Sequence, residues 1–171
     1  MAVSRTAQYV AMYRALENLE PQPLFRDRFA ATFLPRDLLR LLAAARVRPL
    51  RALLLRYADV RAPGARTSAI ARTCFIDDVV RNRVAAGIRQ VVILGAGFDC
   101  RAHRLPELAT STVFEVDRPE TQTWKRARLA RAAFEPVRSD VHYVEADFLL
   151  DPVSNRLAEA GWRIDQPTLF L

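Results

Sequence analysis

The sequence predicts a parallel, doubly wound α/β sheet preceded by a helical segment, and three observations carry that prediction. From Pro63 onward, stretches of helical character alternate with short runs of β-branched and apolar residues, the pattern of repeated β-α units. The first such run, Gln90–Leu94, leads directly into Gly95-Ala96-Gly97. The next two runs end near aspartates, Asp117 and Asp147, so acidic side chains recur where a parallel sheet presents the carboxyl ends of its strands.

Residues 1–62 read as a helical cap, with helices over residues 7–19, 26–34, 36–46 and 50–60. Pro21, Pro23, Pro35 and Pro49 supply the breaks, since proline lacks the N–H that a helix interior needs. Leu38, Leu41, Leu42 and Ala45 recur at helical spacing and form an apolar stripe. Arginines flank that stripe, which favours core or domain packing over a membrane or partner face.

Residues 63–171 read as the α/β domain. A helix over residues 65–86 stops at Gly87, a residue suited to the left-handed turn after a helix. Gln90–Leu94 is β-branched, as a fully buried parallel strand should be. A helical turn over residues 102–108 follows, then a strand over 112–116 and a helix over 119–133 with proline in its first turn. A third strand covers residues 141–146, a helix covers 152–160 and ends at Gly161, and a fourth strand begins at Thr168. The crossovers between strands are expected to be right-handed. A sheet stopping within its fourth strand would leave an unpaired apolar edge, so the expectation is an incomplete, C-terminally truncated sheet.

Composition narrows the function classes. With 51% hydrophobic and 26% charged residues among 171, the chain has the balance of a folded domain and not of a disordered one. The most apolar stretch, residues 38–55, is interrupted by Arg40, Arg46, Arg48 and Arg51, which a bilayer would not accept cheaply. The N-terminus has no apolar signal core, with Arg5, Arg14 and Glu17 breaking it up, so the cytoplasm is the expected compartment and no membrane is expected. Cys74 and Cys100 are too few for a disulfide framework and lack metal-ligand spacing. The net charge of +7 is carried by scattered arginines, without the aromatic interleaving of a single-strand platform. Specific nucleic-acid recognition is not expected, although salt-dependent binding at low ionic strength is.

Chemistry concentrates on the predicted carboxyl edge. Gly95 permits a tight turn, and Gly97 lets backbone approach a ligand with no side chain between. Asp117 lies 20 positions beyond Gly97, where a carboxylate can accept from both ribose hydroxyls of an adenosine-bearing cofactor. It could equally cap the following helix, with Glu120 as capping-box partner. At the next strand end, Asp147 could accept from an adenine amino group while the Phe148 N–H meets a ring nitrogen, or Asp147 could serve as a turn aspartate. Arg72 continues the row Ile76, Val80, Val84, a core-facing place where arginine needs an anion. That anion is either a cofactor carboxylate or Asp77 or Asp78. A nicotinamide dinucleotide would also use an acid after strand two, but would favour glycine or alanine where Cys100 stands. No catalytic residue is assigned: His103 and His142 qualify by type alone.

The segments Arg72-Thr73-Cys74-Phe75-Ile76-Asp77-Asp78, Gln90 to Arg101 with its Gly-Ala-Gly-Phe-Asp-Cys-Arg turn, and Phe114-Glu115-Val116-Asp117-Arg118-Pro119-Glu120 together resemble the leucine carboxyl methyltransferase family. The closer likeness is to its bacterial branch of provisionally named S-adenosyl-L-methionine-dependent methyltransferases; Thr6-Ala7 and Arg14-Ala15-Leu16-Glu17 share it. The resemblance implies a Rossmann-like class I methyltransferase sheet with an N-terminal helical cap. It implies S-adenosyl-L-methionine as cofactor, with Arg72 on the methionine carboxylate, Gly95 and Gly97 at the approach, Asp117 on the ribose, and Asp147 with Phe148 at the adenine. The implied activity is methyl transfer to an oxygen, a carboxylate among the candidates, of a small-molecule or carboxylate-bearing acceptor. A non-catalytic cofactor-binding chain and a nicotinamide-dependent oxidoreductase are the alternatives. Family members commonly carry threonine at Cys100, and they continue past the fourth strand with a stretch containing Glu-Gly and Tyr-Leu.

Overall fold

The structure, a computed structural model, describes residues 5–132 and 140–171. Its contacts divide the chain into two units, Met1–Phe75 and Ile76–Leu171. Helix α4 (Ala65–Ala85) runs through the division.

In the first unit, α1 (Arg5–Glu17) packs against a 3-10 turn (Ala30–Phe33) and against α2 (Arg36–Ala44), and α3 (Arg48–Arg61) follows. The helix expected over residues 26–34 is replaced by that single 3-10 turn. Asp27 is the reason. Its carboxylate accepts from Arg14 at 2.8 Å and from the Phe29 N–H at 3.1 Å. The Asn18 side chain brackets the Asp27 backbone, donating to its carbonyl at 2.8 Å and accepting from its N–H at 2.9 Å. These bonds satisfy backbone groups that a helix would otherwise use. Of the expected stripe, Leu38 and Ala45 are buried, Leu42 is half-buried and Leu41 is exposed.

In the second unit, β1 (Gln90–Leu94), β2 (Thr112–Asp117), β3 (Asp140–Glu145) and β4 (Thr168–Phe170) form a parallel sheet in the order β3-β2-β1-β4. The chain moves outward from β1 through β2 to β3, then returns to place β4 on the other side of β1. That reversal is the switch point at which doubly wound sheets bind ligands. Alternation along the strands builds two cores. Val91, Ile93 and Val113 meet Val80 and Val84 of α4, together with Ala102, Leu105 and Leu108. Val92, Phe114, Val116 and Val144 meet Leu157 of α7 (Val153–Glu159) and Trp162.

The remaining boundaries differ from expectation by a few residues. The turn after β1 splits into α5 (Arg101–Arg104) and a 3-10 segment, Pro106–Thr110, because Pro106 interrupts the helix. Helix α6 (Pro119–Leu129) ends before the expected residue 133, which lies outside the described residues. Helix α4 closes at Gly87, with Gly87 N–H on the Val84 carbonyl and Ile88 N–H on the Arg83 carbonyl, the paired bonds of a Schellman end. No described helix is long and apolar enough to cross a membrane.

Candidate cofactor-binding site

Three turns converge where β1, β2 and β3 end. Gly95 and Gly97 have φ values of +61° and +46°, a region that side-chain-bearing residues adopt only at a cost. The turn is stitched to β2 by backbone: Ala96 N–H donates to the Val116 carbonyl at 3.0 Å. A side-chain bond completes it, with Gly97 N–H donating to Asp117 Oδ2 at 2.6 Å. The other carboxylate oxygen accepts from Arg118 N–H at 2.7 Å. Helix α6 begins with Arg118 at its cap position and no side-chain cap bond, so Asp117 turns back to the glycine segment and does not cap the helix. A carboxylate offers about four acceptor sites, which leaves capacity on both oxygens after these two bonds. Gly95 is exposed, and a Cβ there would meet nothing within 4 Å.

The turn after β3 is tied on itself. Asp147 Oδ1 accepts from Leu149 N–H at 3.0 Å, and Asp147 N–H donates to Asp151 Oδ2 at 2.8 Å. Leu150 and Asp151 N–H groups both reach the Asp147 carbonyl. Asp147 is therefore a turn aspartate, and its second oxygen lies 4.0 Å from the Arg118 guanidinium. One amide of this turn, that of Phe148, has no partner among the described residues. Its ring is half-exposed beside the exposed Leu149 and Leu150.

Arg72 departs from the expected core-facing place: it is exposed. A row of residues four apart on a helix drifts by about 40° at each step. The drift explains the graded series in which Val80 and Val84 are buried, Ile76 is half-buried and Arg72 is out. The alternative ion pairs are taken elsewhere. Asp77, fully buried, accepts from Arg101 Nε at 2.8 Å and from Arg104 at 2.7 Å, and Asp78 pairs with Arg81 at 2.9 Å. Arg72 thus has no ion-pair partner among the described residues.

Beneath the edge lies a buried polar cluster that pattern reading missed. Glu115 of β2 and Lys125 of α6 are both buried and meet at 2.5 Å. His103 Nε2 lies 3.9 Å from the other Glu115 oxygen and 3.2 Å from the Tyr143 hydroxyl. Burial, reinforced by the Lys125 charge, lowers the His103 pKa to about 4, so the ring is neutral at pH 7 and only weakly basic. Burial raises the Glu115 pKa against the pull of Lys125, and raises that of Tyr143. A signal existed in the sequence: Glu115 interrupts an apolar run, and Lys125 is the chain's one lysine. His142 is part-exposed beside Asp140 at 3.1 Å, away from the glycine turn's end of the sheet.

Sheet order, glycine turn and strand-end acid together define a Rossmann-like fold. The family described as leucine carboxyl methyltransferase matches residues 7–171, and the chain belongs to that family. A protein of Parafrankia sp. (strain EAN1pec) is 37% identical over 174 residues, covering 99% of this chain and 52% of its own length. One from Mycobacteroides abscessus is 34% identical, covering 99% and 56%. One from Mycobacterium avium (strain 104) is 45% identical over 101 residues, covering 59% and 32%. All three carry provisional names as S-adenosyl-L-methionine-dependent methyltransferases. The chain spans about half the length of the curated relatives that match all of it.

Proposed function

We propose that this chain binds S-adenosyl-L-methionine at the carboxyl edge of β1, β2 and β3 and serves methyl transfer to an oxygen, a carboxylate among the candidates, of a small acceptor. The observation that carries the reading is the 2.6 Å bond from Gly97 N–H to Asp117. It fixes the carboxylate beside the glycine turn while leaving acceptor capacity for two ribose hydroxyls. The residues present suit the cofactor. Gly95 leaves room for close approach; the assignment of Arg72 to the methionine carboxylate rests on the family resemblance alone. Asp147 Oδ2, which the turn's own bonds do not use, and the Phe148 N–H are the matching acceptor and donor for the adenine amino group and a ring nitrogen. When bound, the cofactor supplies a methyl group already activated on a sulfonium. The protein's task is then alignment and exclusion of water, which needs no strong side-chain acid or base. Two cysteines, too few for a disulfide framework, suit a reducing compartment, and the cytoplasm is the one this reading assigns.

Calorimetric titration with S-adenosylhomocysteine tests the reading. Asp117→Ala should weaken binding by about 1.5–3 kcal/mol, the worth of charge-assisted hydrogen bonds. Unaltered affinity would remove Asp117 from the ribose site, and a preference for NAD over S-adenosylhomocysteine would replace the methyl-donor reading with a dehydrogenase one.

A further inference from the structure

Helix α6 reaches each of the three segments that carry the proposed cofactor contacts, through side chains within four positions of one another. Trp124 stacks on Phe98 with ring centroids 4.7 Å apart, and Phe98 directly follows Gly97 in the glycine turn. Lys125 holds Glu115 at 2.5 Å, and Glu115 stands two residues before Asp117 on β2. Gln122 donates its amide to the carbonyls of Glu115 at 2.7 Å and Val144 at 2.8 Å, and Val144 stands three residues before Asp147 on β3. His103 and Tyr143 extend the cluster to α5 and to β3.

Two features separate this arrangement from ordinary core packing. A buried ion pair often stabilises no more than apolar side chains of the same volume would, yet it demands one geometry, because any slip leaves a charge without its partner. Lys125 is also the single lysine among 26 basic residues. A compact ammonium, and not the broad planar fork of arginine, meets Glu115 there. With no side-chain cap at its start, α6 meets the sheet through these contacts and through Arg126 over the Tyr143 ring at 5.2 Å.

We propose that Gln122, Trp124 and Lys125 are positioning residues that hold the glycine turn and the ends of β2 and β3 in the one arrangement where Gly97 N–H meets Asp117. The proposal rests on the reading of that edge as the cofactor site. None of the three touches the reacting atoms; each acts through the backbone it fixes.

The test is amide hydrogen exchange at Gly97, which reads the arrangement without ligand, joined to calorimetric titration with S-adenosylhomocysteine. In Trp124→Leu and Lys125→Met, Gly97 exchange should quicken at least tenfold beyond any change at the Val92 amide of β1, and ligand affinity should fall at least tenfold. The double variant Glu115→Gln/Lys125→Met removes the stranded charge, so it should regain melting temperature while Gly97 protection and affinity stay low. Recovery of all three together would reduce the pair to a structural element and overturn the proposal, as would single variants whose Gly97 protection is unchanged. If the wild-type chain binds no S-adenosylhomocysteine while Gly97 exchange responds as described, the positioning role is upheld and the cofactor reading alone fails.

Discussion

Residues 1–75 and residues 76–171 handle charge in opposite ways. The first unit holds 13 arginines and five acidic residues, a net of +8, and with +7 for the whole chain the second unit carries −1. In the second unit charges are drawn inside and matched: Asp77 with Arg101 and Arg104, Glu115 with Lys125. In the first the buried match is Arg14 with Asp27, while the arginines at 36, 40, 46, 48, 56 and 61 are exposed. Apolar burial differs between elements of the two units, although Leu149, Leu150 and Ile164 of the second are exposed and Phe29, Phe33 and Leu34 of the first are buried. Strands β1 and β2 bury nearly every residue, whereas α3 buries none. Sheet register and two cores therefore specify the second unit. In the first, one polar hub organises the loop between α1 and α2.

That contrast makes Asp27 a sensitive position of the first unit. Asp27→Ala would remove the 2.8 Å carboxylate partner of the buried Arg14 guanidinium and the acceptor of the Phe29 N–H at once. Removing one partner of a buried pair costs about 3–5 kcal/mol, and the loss should appear as a lower urea midpoint. A loss below about 1 kcal/mol would show that the hub does not organise the loop, and the comparison between the units would fail at its first step.

The second unit's buried charges predict an acid response. His103 has a pKa lowered to about 4 from an ordinary 6.5, so the folded protein refuses a proton that the unfolded chain accepts. Its contribution is intact above pH 6.5 and is lost as pH falls from there toward 4. The loss amounts to at most about 3–4 kcal/mol. Glu115 works the other way, since a raised carboxyl pKa favours the folded state as acid is added. The His103 share is isolated by comparing wild type with His103→Gln: between pH 7 and 4.5 the wild-type urea midpoint should fall further than the variant's. Parallel curves would mean that His103 accepts its proton without leaving its site.

How legible each unit was in the sequence follows from the same physics. The order of strands and helices after Pro63, and the convergence of Gly95, Gly97, Asp117, Asp147 and Phe148 on one edge, are set by periodicity and by the rule that parallel strands share a carboxyl end. Both act locally and can be read directly. The bond between Gly97 and Asp117 spans 20 residues, and the Glu115–Lys125 and Asp77–Arg101 pairs also join distant elements. Pattern alone cannot say which acid meets which base. Arg72 shows a subtler failure. Its spacing from Ile76 and Val80 suggested burial, but the drift of an i, i+4 row carried it to the surface. The loop over residues 26–34 was misread as helix because Asp27 satisfies its backbone through side chains, which leaves no periodic trace.

The smallest expected effect probes the apolar side of the comparison. Leu53, Tyr57 and Val60 of α3 are 66%, 62% and 71% exposed, so truncating them removes little packing from the folded state. Leu53→Ser should shift stability by no more than about 0.5 kcal/mol, the range of ordinary surface substitutions. Val91→Ala in β1, where the side chain is wholly buried, should cost about 2 kcal/mol through lost transfer energy and a residual cavity. The ratio of these two urea-midpoint shifts is more informative than either alone, because both variants shorten an aliphatic side chain in the same polypeptide. A ratio near one would mean that the α3 row is packed in solution as firmly as the strand is. A ratio of about four or more keeps the two units on opposite sides of the comparison: one whose apolar residues hold the fold, and one whose α3 presents them.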